Sequence, residues 1–410
     1  MLRPLGRYFL LLFVLVSGSI CWAGDDYIED GKDFEGDLEV SPDLLPQNNP
    51  FTFSITVREE YDDNTNTSEF DRQDSFKTWI TPSIVFTYPM DNTIISAGLT
   101  YSAIFFLDTP SERINQEVNF VIGFNHTFND RVNLDVRNRF SLSQEPDAID
   151  DIGVFEVDGT RIVNTTSVQL GVEWTPLFGT TTTYDLSYYA YDNSGLANTS
   201  DRIFQSINQD FRFLIWPTVT LVFGGGFSDT DYFDETIARD FQNIRGNAGV
   251  DWQALPNLVM GARAGVTVTS TDFRSDVVNP TGSAYVNWEI GARSSLSFRF
   301  VQSVTNTDIA FEQAQVASTF FLTFNYQFTP RLSGALSTVA RLGSFDDFVS
   351  PGAPVNDFSE DIASVSFNLS YAISRNWSAN AGYTYSTRIS PLAGRDYYRN
   401  RVWLGLTATF

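Results

Sequence analysis

Only one cysteine and one histidine occur among the 410 residues. The cysteine, Cys21, lies near the start, so the rest of the chain can build no disulfide framework. A lone histidine, His126, excludes any site that needs two, including the common two-histidine metal spacings. No apolar run after residue 24 reaches the length of a membrane-spanning helix, and no helical period persists for three turns. Bases are scarce beside acids, 26 Lys and Arg against 50 Asp and Glu, a net of −24. That balance argues against a nucleic-acid partner. Aromatic residues, by contrast, make up 15% of the chain, far more than an acidic disordered chain carries. The acid load therefore sits on something folded. Without a membrane helix, the folded part is either soluble or crosses a membrane as a closed barrel.

The first residues are a targeting segment. Arg3 and Arg7 precede the short apolar run Tyr8–Val16, and Cys21–Ala23 forms a small-residue cleavage site before Gly24. Ile20 stands where a lipoprotein site wants a small residue, so plain cleavage is the expectation. Residues 1–23 thus read as a signal peptide. Its removal takes two arginines and no acid, which leaves a net of −26. Residues 24–50 hold nine acids against Lys32 alone and lack periodicity. They read as a flexible acidic periplasmic leader, and residues 51–410 as one domain.

From Phe51 onward a two-residue period dominates. Phe51, Phe53, Ile55 and Val57 alternate with Thr52, Ser54, Thr56 and Arg58, and Val118, Phe120, Ile122 and Phe124 with Glu117, Asn119, Val121 and Gly123. Segments of this kind number about eighteen, with sixteen as the alternative count. Their connections alternate in length. "YPMDN", "NDR", "TPLFG", "WPT", "QALPN", "GARSS", "TPR" and "SRN" are short, whereas Leu142–Thr166 and Gly343–Ile362 are long and polar. Tyr88, Phe128, Trp174, Phe178, Trp216, Trp252, Phe328 and Trp377 cluster at the short turns, as an interfacial girdle would. The final "RVWLGLTATF" keeps its alternation to the terminal Phe410. These features predict an all-β, antiparallel, up-and-down transmembrane barrel in a bacterial outer membrane, with short turns in the periplasm and long loops outside. Phe410 is expected to serve as the assembly signal. A soluble sandwich would also alternate, but it gives no reason for paired turn lengths or a phenylalanine end.

Charge placement follows from the same period. Most of the acidic excess falls in the leader and the long loops, whereas strands and short turns carry a basic excess. Strand charges lie opposite the apolar stripe, because a basic side chain in lipid near the midplane costs roughly 2–4 kcal/mol. The expected pore-lining bases are Arg58, Arg137, Arg139, Arg212, Arg245, Arg263, Arg299, Arg341 and Arg401. The acids are Glu117, Asp135, Glu173, Asp185, Asp210, Asp251 and Glu289. They can sort solutes by charge, or simply neutralise one another in a wet interior. No catalytic constellation or cofactor site is expected, and His126, beside a short turn, reads as interfacial. Gly224–Gly226 lies within a strand, where a bend or close packing is the ordinary reason. The acidic stretch Glu59–Asp71 reads as a solvated outer loop. It could hold Ca²⁺ through oxygen ligands, although its spacing is not that of an EF-hand.

"EYDDNTNT" (Glu60–Thr67), "TPSIVFTYPM" (Thr81–Met90) and "GVEWTPLFGTTTTYDLSYYAYDN" (Gly171–Asn193) resemble segments of the putative β-barrel porin 2 family. The resemblance implies a barrel over most of residues 50–410. It also implies a link to exopolysaccharide export, with polysaccharide-export components as partners. A barrel of eighteen strands is too wide for side chains to fill. The leading functional expectation is therefore passive diffusion of small hydrophilic solutes. The alternatives are an exopolysaccharide exporter and a non-conducting surface adhesin or structural barrel. Expected partners are outer-membrane lipid, lipopolysaccharide and the barrel-assembly machinery.

Overall fold

The computed structural model describes residues 49–107, 114–144, 149–150, 153–154, 159–192, 197, 200–233, 240–271, 274–305, 314–345 and 358–410. The expected signal peptide and nearly all of the expected leader lie outside the described residues, as does most of the middle of Leu142–Thr166.

Twenty strands follow in order: β1 (Phe51–Asp62), β2 (Ser75–Met90), β3 (Thr93–Phe106), β4 (Ile114–Asn129), β5 (Val132–Ser143), β6 (Ile149–Asp150), β7 (Gly153–Val154), β8 (Arg161–Thr175), β9 (Phe178–Tyr191), β10 (Arg202–Trp216), β11 (Val219–Tyr232), β12 (Phe241–Leu255), β13 (Leu258–Thr271), β14 (Arg274–Ile290), β15 (Ser294–Thr305), β16 (Gln315–Thr329), β17 (Leu332–Ser344), β18 (Ser359–Ala372), β19 (Trp377–Ile389) and β20 (Tyr397–Thr409). β6 and β7 pair only with each other, in the connection between β5 and β8. The other eighteen form one sheet in which each strand pairs antiparallel with its chain neighbours. β1 pairs with both β2 and β20, so the sheet closes into a barrel and no edge is left open.

Alternation dictates which side chain faces where. In β1, Phe51, Phe53, Ile55 and Val57 are exposed on the outer surface, while Thr56 and Arg58 line the interior. In β5 and its neighbours, Val136 pairs with Phe124 and Val168 on the outer face, and Arg137 pairs with Gly123 and Ser167 on the inner one. Eight connections of two to four residues gather at one end. Tyr88, Phe128, Trp174, Trp216, Trp252, Trp288, Phe328, Trp377 and Phe410 are exposed around that end. His126 lies in the same girdle, its ring 4.4 Å from that of Phe128 and its Nδ1 2.7 Å from the Thr93 hydroxyl.

Several strands run further than the alternation suggests. The polar stretch 272–279 is mostly β14, β5 continues to Ser143, and β18 starts at Ser359. The start of Glu59–Asp71 is likewise strand rather than solvated loop, with Glu60 and Asp62 only 2% and 0% exposed. Beyond the hydrocarbon zone the outer face no longer has to be apolar. The sequence period fades there while backbone pairing continues.

Candidate luminal site

The interior has two unlike walls. One, built by β1–β5 and β14–β20, bounds a cavity of about 1210 Å³. Most of its lining is hydroxyl or amide. Neighbouring strands place these groups opposite one another, because directly paired residues share a face. Ser364 and Ser386 lie 3.3 Å apart, Ser366 and Thr384 3.0 Å, and Thr56 and Thr407 2.9 Å. The Asn380 amide donates to Thr407 at 3.2 Å, and Thr81 and Thr100 donate to Ser102 and Ser83. The cavity runs from Glu117 and Ser143, at the long-loop end, to the Gly291–Arg293 turn at the other. It is therefore a groove along the barrel axis rather than a closed void.

Among the described residues six charged side chains line this groove: Arg58, Arg139, Arg293 and Arg401, with Glu117 and Glu289. The Arg58 guanidinium carbon sits 4.0 Å from the centre of the Trp79 ring and 5.4 Å from that of Trp403. Glu60 lies 3.4 Å from its Nη2. The register sets Arg58 directly opposite Trp79 on β2 and Gly405 on β20, so the cation is held between two indoles. Trp403 lies against Gly382, where any Cβ would run into the indole and the Asn368 amide oxygen. Ser143 donates to Glu117 at 2.9 Å.

The opposite wall, on β8–β14, is a mat of charged and amide side chains. Asp185 accepts from Ser167 (2.7 Å) and Ser206 (3.0 Å). Arg263 bridges Asp210 (3.1 Å) and Asp251 (3.8 Å), and Tyr285 donates to Asp251 at 3.1 Å. Arg245 donates to Asn208. Glycines lie beneath these groups. A Cβ at Gly224 would strike the Asp210 and Asn247 side chains, one at Gly226 the Asn208 amide, and one at Gly261 Tyr285 and Asp251. Close packing is thus the reason for Gly224 and Gly226, whereas a Cβ at Gly225 would meet only an ordinary contact with the Arg245 carbonyl. Arg212, Arg245 and Arg263 line a narrow cleft here, with Asp210.

The remaining expected residues also fall on the inner face. Asp135 accepts from Asn125 at 3.3 Å. Arg341 donates to Thr305 at 2.7 Å. Arg299 pairs with Tyr285 and Phe321, and Glu173 with Gly179 near the short-turn end. The sixteen residues therefore divide between the two walls and form no single ring.

One cluster escaped the sequence reading. At the long-loop end Asp62 binds Lys77 Nζ at 2.9 Å and Arg399 Nε at 3.0 Å, with all three side chains fully buried. At the same end, Glu360 accepts two bonds from Arg395 (2.8 and 3.1 Å) and lies 3.5 Å from Arg388. Oxygen-bearing residues in and just after the last part of β1 make similar contacts. Asp63 accepts from the Asn400 backbone (2.6 Å) and side chain (2.7 Å), and Glu59 accepts from Thr78 at 2.9 Å. Among the described residues no group of three or more His, Cys, Asp or Glu is placed to hold a metal ion. Partners 337 residues apart, such as Asp62 and Arg399, leave no local signal.

A family model described as "putative beta-barrel porin 2" matches residues 51–410, the whole of the barrel. The chain belongs to that family. This porin-family barrel is accordingly an outer-membrane β-barrel channel. No curated protein is significantly similar to it. Solved structures similar to it include OccK9 (OpdG) of Pseudomonas aeruginosa, at 12% identity and a TM-score of 0.43, covering 88% of this chain and 98% of that one. OccAB2 of Acinetobacter baumannii is 11% identical with a TM-score of 0.44, covering 88% and 98%. The siderophore receptor PirA of Pseudomonas aeruginosa is 8% identical with a TM-score of 0.43, covering 89% and 81%. None of these likenesses bears on what the porin-family barrel conducts.

Proposed function

We propose that this barrel lets small hydrophilic solutes cross the outer membrane by passive diffusion. The observation that carries this reading is the groove of about 1210 Å³ that reaches from the long-loop end to the Gly291–Arg293 turn. Its walls are hydroxyls and amides, which offer a dissolved solute replacements for its water without binding it tightly. Neighbouring charges are largely compensated in pairs, Arg58 with Glu60, Arg263 with Asp210 and Asp251, and Arg395 with Glu360. Pairs of this kind suit a general pore better than the unbroken arginine track that an exporter of anionic polymer would need. The decisive measurement is conductance of the purified chain in planar bilayers. Stepwise channels that scale with salt concentration are expected. Folded, heat-modifiable barrels that insert yet pass no current would overturn the proposal.

A further inference from the structure

The two indoles around Arg58 have no role in a barrel that is merely open. Aromatic side chains on a wetted inner wall displace water from polar neighbours, and a smaller residue would leave more room. Here they fix a cation. Arg58 lines the groove with its guanidinium 4.0 Å from Trp79 and 5.4 Å from Trp403, and Gly382 is left without a side chain so that Trp403 can lie flat against the wall. Glu60 already lies 3.4 Å from the Arg58 Nη2, and the five N–H donors of a planar guanidinium fork can serve more than one carboxylate.

What surrounds it narrows the ligand. Next to Trp403 the groove is walled by Ser366, Asn368, Asn380 and Thr384. The Ser366 and Thr384 hydroxyls are bonded to each other, and Asn380 donates to Thr407. In a hydroxyl pair one O–H donates to its partner, and the second can donate elsewhere, while both oxygens retain acceptor capacity. A run of such groups matches a molecule with several hydroxyls of its own. An inorganic anion would use only the cation, and an aromatic acid would leave the hydroxyl wall unsatisfied. We propose that this stretch of the groove is a weak selective site for acidic sugars. In it Arg58 takes the carboxylate and Ser366, Asn368, Asn380 and Thr384 take ring hydroxyls. The proposal deepens the channel reading and rests on it for the ligand's access.

The test uses the full chain in planar bilayers with glucuronate, glucose or benzoate added to one side. Glucuronate is expected to reduce or flicker the current at a lower concentration than glucose or benzoate. Arg58→Gln should raise the concentration needed by about tenfold or more, the loss of one charge-assisted contact. Arg58→Lys should give an intermediate loss, since it keeps the charge but not the fork. Arg212→Gln, on the opposite wall, removes one cation and should leave the preference for glucuronate intact. Equal effects of glucuronate and benzoate, or of Arg58→Gln and Arg212→Gln, would show that charge alone is sensed and overturn the site. If the folded barrel passes no current, glucuronate titration of the detergent-solubilised protein by calorimetry decides separately. Binding that Arg58→Gln weakens keeps the site and rejects the channel, and absence of binding rejects the site.

Discussion

Gly382 shows how much one missing Cβ decides. Its place is taken by the Trp403 indole, which lies against the wall beside Asn368. Gly382→Val is expected to push the indole into the groove and lower single-channel conductance, while the yield of folded barrel falls only modestly. Unchanged conductance at normal yield would mean that Trp403 does not border the conducting path. Val136 and Arg137 make the complementary test of facing. They are adjacent on β5, one paired with Phe124 outside and the other with Gly123 inside. Val136→Arg should destabilise the barrel by roughly 2–4 kcal/mol, because it puts a charge into hydrocarbon. Arg137→Val removes a charge from water and should fold nearly as well. Folding yield into lipid vesicles separates the two, and a reversed order would shift the assigned register by one residue.

At the scale of elements the vulnerable place is the seam between β1 and β20. At the short-turn end Phe410 and Phe53 exchange backbone hydrogen bonds of 2.8 and 3.2 Å. At the other end the seam is pinned by Asp62 with Arg399 and by Asp63 with Asn400. Arg399→Ala would leave Asp62 buried with Lys77 as its charged partner. A loss of about 3 kcal/mol is expected, at the low end for breaking a buried ion pair. Urea unfolding in vesicles measures it. Deleting Phe410 should lower the amount of heat-modifiable barrel in cells, and a normal amount would count against its role in assembly. Strands such as β4, with Val118, Phe120, Ile122 and Phe124 on one side, were legible because lipid enforces a strict apolar period. The ends were not. Asp62 sits in a strand extension where nothing outside must be apolar, and its partners Lys77 and Arg399 come from β2 and β20. The sequence assigned charges such as Asp210 and Arg263 to the inner face but not to a wall. Which wall a residue joins depends on closure of all eighteen strands.

For the molecule as a whole, orientation and charge preference are the quantities to measure. Single cysteines placed at Asn66 and at Asn376 should differ on intact cells, the first labelled by an impermeant reagent and the second protected. Reversal of that pattern would invert the barrel. The groove is lined by four arginines and two glutamates, with Glu60 beside Arg58, so it keeps a small basic excess although the full sequence is strongly acidic. Reversal potentials in a salt gradient are expected to show anions passing more readily than cations. A preference for cations would mean that acidic residues at the mouth, rather than the groove, control permeation.

The glycine-backed wall has a consequence for how steady the channel is. Long side chains that stand up in a pore swing between rotamers, and each swing changes the aperture. On β8–β14 the arginines and carboxylates lie in hollows left by Gly224, Gly226 and Gly261, tied to neighbours on adjacent strands. On this wall side chains seated over glycines and tied to their neighbours, rather than freely swinging ones, set the free width. The open state should therefore be electrically quiet. Filling a hollow, as Gly226→Ala does, should make the current noisy long before it makes the barrel unstable.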